Sequence, residues 1–307
     1  MKTMDGILAV WKPAGWTSHD VVAKVRRMVR MKRIGHTGTL DPQVTGVLPL
    51  ALGRATRVVE YLQELPKTYE AVLQLGIATD TEDMTGTIIE QLDHVEVTEE
   101  QIRQAVAGFV GEIEQIPPMY SAVRVDGKRL YELAREGQTV ERKSRQVTIH
   151  EIRLLDMDLQ QQLPKIRFTV SCSKGTYIRT LCVDIGKKLG VPASMDSLVR
   201  TVSAGFTRNE CLTLEQIEGM AESGELSARL IPSDQALGYL SKAVTDSDYA
   251  RRATQGQKIP LTAVHIEEDA LGQDNARLRL YDEEGNFVGL FEADRSAGLL
   301  LPIKVFS

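Results

Sequence analysis

The chain is poor in the residues that staple small folds or hold metals. Its 307 residues include only three cysteines, Cys172, Cys182 and Cys211. Their number and wide spacing fit neither a disulfide framework nor a zinc knuckle, so they read as buried thiols in a reducing compartment. With five histidines and two tryptophans, any imidazole or indole inside a motif stands out, and a clustered zinc site is not expected. No window approaches the ~18 apolar residues of a membrane span. The start, Met1-Lys2-Thr3-Met4-Asp5-Gly6, has no apolar stretch of signal-peptide length. A cytoplasmic protein with no membrane partner is expected. A complete P-loop, a dinucleotide-binding glycine fingerprint and an HExxH helix are missing, as are internal repeats and low-complexity tracts.

An excess of positive charge is also lacking. The formal net charge is -5, which taken alone argues against nucleic acid. The average hides an asymmetry. From Lys12 to Arg57 there are nine basic residues (Lys12, Lys24, Arg26, Arg27, Arg30, Lys32, Arg33, Arg54 and Arg57) against Asp20 and Asp41. A second run holds Arg124, Lys128, Arg129, Arg135, Arg142, Lys143 and Arg145 against Asp126, Glu132, Glu136 and Glu141. Acidic residues collect elsewhere, as in Asp80–Asp83 and Glu96–Glu100. A local positive face still attracts phosphate on an acidic protein, because screening makes the field short-ranged.

What is present is ordinary globular material, 42% apolar and 26% charged. Length and pattern predict a large domain over 1–240 and a small one over 241–307. Ile7–Val10 reads as a strand. Ser18 is expected to cap a helix running to about Met31, with Val21, Val22, Val25 and Val29 on one face. Arg57–Leu65 suggests a short helix. Tyr69–Leu75, Ser121–Val125, Gln146–Leu155 and Ile166–Cys172 read as strands. Thr98 with Gln101 and Thr213 with Gln216 look like helix entries. Tyr177–Leu189 has helical spacing, and Glu210–Pro232 reads as an acidic linker. From about Ala243 short strands and turns follow, with a hairpin over Ala276–Tyr281 and Phe287–Ala293. The irregular alternation fits α+β better than a regular parallel βαβ wheel.

Several segments carry candidate chemistry. Gly35-His36-Thr37-Gly38-Thr39-Leu40-Asp41-Pro42 sets a histidine and a carboxylate on a glycine-punctuated loop. Pro42 restricts Asp41 to extended geometry, and either a turn residue or a reactive carboxylate fits. The other four are Lys12-Pro13-Ala14-Gly15-Trp16-Thr17-Ser18, Lys67-Thr68-Tyr69, Pro117-Pro118-Met119-Tyr120-Ser121-Ala122 and Lys174-Gly175-Thr176-Tyr177-Ile178-Arg179-Thr180. Arg179 at a helix start opposes the helix dipole, which hints at an anionic partner. Tyr69 can be a core aromatic or a stacking surface. Lys12 and Lys67 fit solvated lysines or site residues equally.

In this order the five segments resemble the TruB family of RNA pseudouridine synthases, densely to about Phe206 and thinly after it. The resemblance implies a pseudouridine-synthase fold, with a mixed or antiparallel central sheet flanked by helices, and a small PUA-like RNA-binding domain at the end. It implies isomerisation of a uridine in the T-loop of transfer RNA by base flipping, with no cofactor, since atoms are only rearranged. Asp41 matches the family's catalytic aspartate, Arg179 the arginine paired with it and Tyr69 the tyrosine beside the target base. His36 matches the residue that enters the RNA loop, and Leu198 an apolar position under the nucleotide. Lys12, Lys67 and Tyr177 are expected near the pocket. Arg124, Lys128, Arg129, Arg142 and Lys143 are expected along a thumb over RNA phosphates. The partner is transfer RNA, mainly its T-arm; a monomer with no obligate protein partner is expected. One departure is Gln43-Val44, where many members read Leu-Ala. A non-catalytic RNA-binding or RNA-folding protein on the same scaffold is the competing expectation.

Overall fold

The computed structural model describes residues 4–125, 127–266 and 275–306. Met1, Lys2 and Thr3 of the expected N-terminal start, and Asp126 of the second basic run, lie outside the described residues.

An eight-stranded mixed sheet organises the larger part. Its strands are β1 (Gly6–Lys12), β2 (Ile34–His36), β3 (Thr45–Leu52), β4 (Lys67–Leu75), β7 (Gly111–Gln115), β10 (Arg145–Asp158), β11 (Lys165–Cys172) and β12 (Ala193–Ser203). Their order is β1-β3-β12-β4-β11-β10-β7, with β2 also on β3. Between β4 and β7 lies a small hairpin of β5 (Ile77–Thr79) and β6 (Ile88–Gln91); between β7 and β10 lies another of β8 (Arg124–Val125) and β9 (Lys128–Arg129). All ladders of the large sheet are antiparallel except β3 with β12. At that parallel seam Gly46 faces Arg200, and a Cβ on Gly46 would stand 2.2 Å from the Arg200 carbonyl oxygen. Only glycine permits this approach.

The helices are α1 (Ser18–Val29), α2 (Val59–Glu64), α3 (Glu99–Ala107), α4 (Leu130–Arg135), α5 (Ile178–Leu189), α6 (Leu214–Ser223), α7 (Ser233–Ala236) and α8 (Ser247–Thr254). Helix α5 lays Ile178, Leu181, Cys182 and Ile185 into one core with Ile102 and Val106 of α3 and Leu73, Phe168 and Val170 of the sheet. On the β1–β3 side, Val21, Val22, Val25 and Val29 of α1 pack with Leu48, Leu50, Leu214 and Ile217. Burying such a side chain is worth about 1.5–3 kcal/mol, so apolar periodicity fixes which helix face meets the sheet.

Residues from Ser241 onward form a six-stranded sheet of β13 (Ser241–Thr245), β14 (Ile259–Pro260), β15 (Val264–Ile266), β16 (Arg277–Asp282), β17 (Phe287–Asp294) and β18 (Leu299–Val305), in the order β14-β18-β17-β16-β13-β15. It is fastened to the larger part by a shared core in which Phe287, Leu290, Ile303 and Phe306 meet Val58, Tyr61, Leu62 and Leu237.

Several sequence expectations change. Thr17, not Ser18, caps α1, in a capping box with Asp20; Ser18 is thereby free to serve the neighbouring loop. The stretch 210–232 is no linker, since Leu212, Leu214, Ile217 and Leu226 are core residues. Only Arg124–Val125 of the expected strand 121–125 is extended in a ladder. Strands β3 and β12 escaped the sequence pattern altogether. The expected capping boxes at Thr98 and Thr213 are present, and all three cysteines are buried.

Candidate active site

Asp41 lies in the loop between β2 and β3, and two neighbouring segments lock that loop. Ser18 accepts from the Leu40 N–H (2.9 Å). Lys12 ends β1, is fully buried, and donates to the carbonyls of Pro13 (2.9 Å), Trp16 (2.5 Å) and Pro42 (3.0 Å). Its three donors are thus used. Burial holds the Lys12 ammonium down at about 8, with Asp41 opposing and Arg200 adding to the depression.

Arg179 enters from the first turn of α5. Its Nε stands 3.0 Å from Asp41 Oδ2. Its Nη1 donates to the Thr81 carbonyl (2.9 Å) and its Nη2 to the Tyr120 carbonyl (2.8 Å). Asp83 Oδ2 stands 3.9 Å from Nη1. The side chain is 5% exposed, that of Asp41 42%: the cation is sunk into the wall and the carboxylate faces the opening. Gln115 fixes the backbone around this helix start, donating to the Tyr177 carbonyl (3.2 Å) and accepting its N–H (3.0 Å).

Burial and three charged neighbours set the charge state of Asp41. The low-dielectric surroundings push its carboxyl above the ordinary value, Arg179 pulls it down, Asp83 pushes up and Lys12 pulls down. Ionisation of Asp41 therefore leans on Arg179.

Tyr69 is the third residue of β4, opposite Val170 of β11 and Arg200 of β12, and packs on the core beside Leu198. Burial raises its phenol above the usual value; the Arg200 charge opposes this, and the Asp41 charge adds to the rise. Asp41, Arg179, Tyr69 and Lys12 thus converge. His36 ends strand β2 rather than standing in open loop. Its Nδ1 accepts from the Gly38 N–H (3.3 Å), which leaves the proton on Nε2, and burial lowers its pKa, so the ring is neutral.

The remaining candidates separate into inward and outward groups. Lys67 is buried and turned onto the carbonyls of Gln63 and Leu65 (2.7 Å) at the end of α2. In the 124–145 segment, Arg142 donates to the Pro117 carbonyl (3.0 Å). Arg129 meets the Tyr131 hydroxyl (2.8 Å), and Lys128 pairs with Glu136 (3.3 Å) on the surface. Arg124 and Lys143 are exposed.

Sequence reasoning passed over three residues. Asp83 was grouped with acidic residues away from the basic face, yet the β5–β6 turn brings it to Arg179. Its Oδ1 is taken by Thr81 (2.9 Å) and the Thr85 N–H (3.0 Å), an Asx pattern readable between two strands. Gln115 and Arg200 were not considered; a lone charge in Leu198-Val199-Arg200-Thr201-Val202 is the signal that marks the latter. Two surface hollows, about 320 Å³ beside Leu261 and His265 and about 380 Å³ beside Asp5 and Lys32, share no lining residue with this site. Converging charge, not cavity volume, singles it out.

Comparison with known proteins places the chain in a family. Residues 26–178 match the model of the TruB family pseudouridylate synthase N-terminal domain, and residues 179–238 that of the tRNA pseudouridylate synthase B C-terminal domain. The tRNA pseudouridine synthase B of Bacillus licheniformis is 45% identical over 98% of this chain and 97% of its own length. That of Geobacillus thermodenitrificans is 46% identical over 99% of this chain and 100% of its own. A solved H/ACA RNP bound to a substrate RNA containing 2′-deoxyuridine includes a chain of TM-score 0.75 and 26% identity, matched over 99% of this chain and 86% of that one.

Proposed function

The chain belongs to the TruB family of pseudouridylate synthases and isomerises uridine in transfer RNA; we propose that its target is the T-loop uridine at position 55, and that Asp41 is the catalytic carboxylate. The observation that carries this reading is the Asp41–Arg179 pair, 3.0 Å apart with the cation buried and the carboxylate open. A scaffold retained only for RNA binding has no need of a costly buried guanidinium aimed at an open carboxylate.

A uridine inside a folded arm must leave its stack before its sugar can meet a carboxylate. His36, neutral at the end of β2, is placed to fill the vacated gap. The uracil then lies against Tyr69 and Leu198. The C1′–N1 bond breaks, the ring turns, and C5 joins C1′; C5 gives up its proton and N1 gains one. Asp41 serves this by attack at C1′ or on the uracil, or by stabilising a glycal-type intermediate, and Arg179 keeps it charged. The Tyr69 hydroxyl is positioned to take the C5 proton or to hold the ring. Lys12 and Lys67, spent on carbonyls, shape the pocket walls. Arg124, Lys128, Arg129, Arg142 and Lys143 offer charge to RNA phosphates, and the unit over 241–307 acts as a PUA-like RNA-binding domain. The protein works as a cytoplasmic monomer.

The test is tritium release from T-arm RNA labelled at uridine C5, with native protein and Asp41→Asn. Release by the native protein, and none by a variant that still binds RNA, is expected. Binding without release by the native protein, on intact transfer RNA as well, would leave only an RNA-binding or folding role.

A further inference from the structure

The largest fully buried side chain of the described residues is Arg200, 1% exposed. It lies in β12, with Gly46 of β3 on one side and Tyr69 of β4 on the other. Its Nε donates to the Val47 carbonyl (2.8 Å), its Nη2 to the Gly38 carbonyl (3.1 Å) and its Nη1 to the Thr39 carbonyl (3.4 Å). Among the described residues no carboxylate lies within salt-bridge distance of its guanidinium, in contrast to Arg179. A permanent charge buried against neutral carbonyls carries a large desolvation cost. Packing alone would be served by an apolar chain of similar volume.

The two atoms that use the guanidinium fork sit just before Asp41 in the chain. Gly38 and Thr39 are three and two residues ahead of it, and their carbonyls are the ones held. The same residue stands directly opposite Tyr69 across the β12–β4 ladder, close enough for its charge to hold the phenol's rise in check. A planar fork with five donors can hold the carbonyls of two segments at once, here Val47 in β3 and Gly38 and Thr39 in the Asp41 loop; an ammonium is a single point.

We infer that Arg200 is a positioning residue for the isomerisation: it ties the Asp41 loop to the strand that carries Tyr69 and fixes the two reacting side chains relative to one another. This rests on the assignment of Asp41 and Tyr69 made above. Arg200 does not reach substrate. Its effect falls on the chemical step, because misplacing reacting groups by about 1 Å costs on the order of 100-fold in rate. RNA affinity, set by outward cations, is left in place.

The experiment uses Arg200→Met and Arg200→Lys in the full chain. It reads the single-turnover rate at saturating T-arm RNA, RNA affinity and the thermal midpoint. For Arg200→Met the expected result is a rate loss of about 100-fold with affinity within roughly threefold of native. Arg200→Lys recovers part of that loss, and adding Tyr69→Phe to Arg200→Met costs less than the product of the two single losses. A folded Arg200→Met with a near-native rate, or fully multiplicative losses, overturns the inference. Should Arg200→Met not fold, Arg200→Lys decides: a native rate overturns the inference, and a lost rate with intact affinity sustains it. Absence of turnover by the native protein would instead strike the functional reading itself.

Discussion

The walls around Asp41 and the segment over 124–145 are both rich in charge, and they treat it in opposite ways. Lys12 and Arg200 are 0% and 1% exposed, and each spends its donors on backbone carbonyls. Arg179 adds a carboxylate to two carbonyls. In the other region Arg124 and Lys143 are exposed, and Lys128 has one surface partner. A buried charge whose nitrogens are each held by a fixed acceptor has one geometry, as chemistry requires. An exposed pair is worth about 0–1 kcal/mol, so its partner is readily exchanged for a phosphate. Rigidity and adaptability are built from the same residue types by differing burial.

The sharpest way to test that division is to remove the Asp41 carboxylate. Asp41→Asn is expected to lower the single-turnover rate by ~10³-fold or more while RNA affinity, read by filter binding, stays near native. In the native protein the Asp41 carboxyl is raised above its ordinary value. The ionised form is lost as pH falls through that raised value, so the rate should decline on the acid side earlier than a free aspartate would allow.

Arg179→Met comes next. It strands Asp41 beside Asp83 and removes donors from the Thr81 and Tyr120 carbonyls. A loss of roughly 1–3 kcal/mol of stability is expected from leaving carbonyls in the wall without their donors, visible as a lower urea midpoint, with the acid limb of the remaining activity moved to higher pH. An unchanged midpoint would mean that this wall is not as rigid as its bonding indicates.

Lys12 sharpens the comparison through pH. Its folded value, about 8, lies below the ordinary 10.5. Between these values the unfolded chain holds the proton and the folded chain has lost it, so this group makes stability rise with pH across that window. Lys67, also at about 8, has the same sign. Lys12→Met should flatten the slope of stability against pH between about 8 and 10.5, measured by urea unfolding at several pH values. Lys12→Arg should push any alkaline loss of activity near pH 8 to higher pH.

The smallest effects belong to the exposed segment. Arg124→Ala and Lys143→Ala should each weaken RNA binding and reduce the slope of log affinity against log salt by about 0.7–0.9, with the saturated rate unchanged. A large drop in the saturated rate would place these side chains in the rigid half of the comparison.

The sequence disclosed most where local rules govern. The capping boxes at Thr98 and Thr213, the apolar faces of α1 and α5 and the alternation of β11 are written in neighbouring residues. Asp41, Tyr69 and Arg179 were marked by motif, and the fold brings them together. Strands β3 and β12 were hidden because Thr45–Leu52 is an unbroken apolar run carrying Pro49, and Ala193–Ser203 shows no clean alternation. A centrally placed strand needs none when helices or further strands cover its faces.

By itself, then, the sequence determined the inward helix faces and the capping boxes at Thr98 and Thr213, since each depends on residues a few positions apart, and its motifs marked Asp41 as the candidate carboxylate. Only the tertiary structure decided which charges are buried and what they hold. Asp83 reaches Arg179 across 96 positions of chain, and Arg200 reaches Gly38 across 162. Local pattern carries no record of such contacts, because the cost of burying a charge is met only when distant strands bring carbonyls and carboxylates to it.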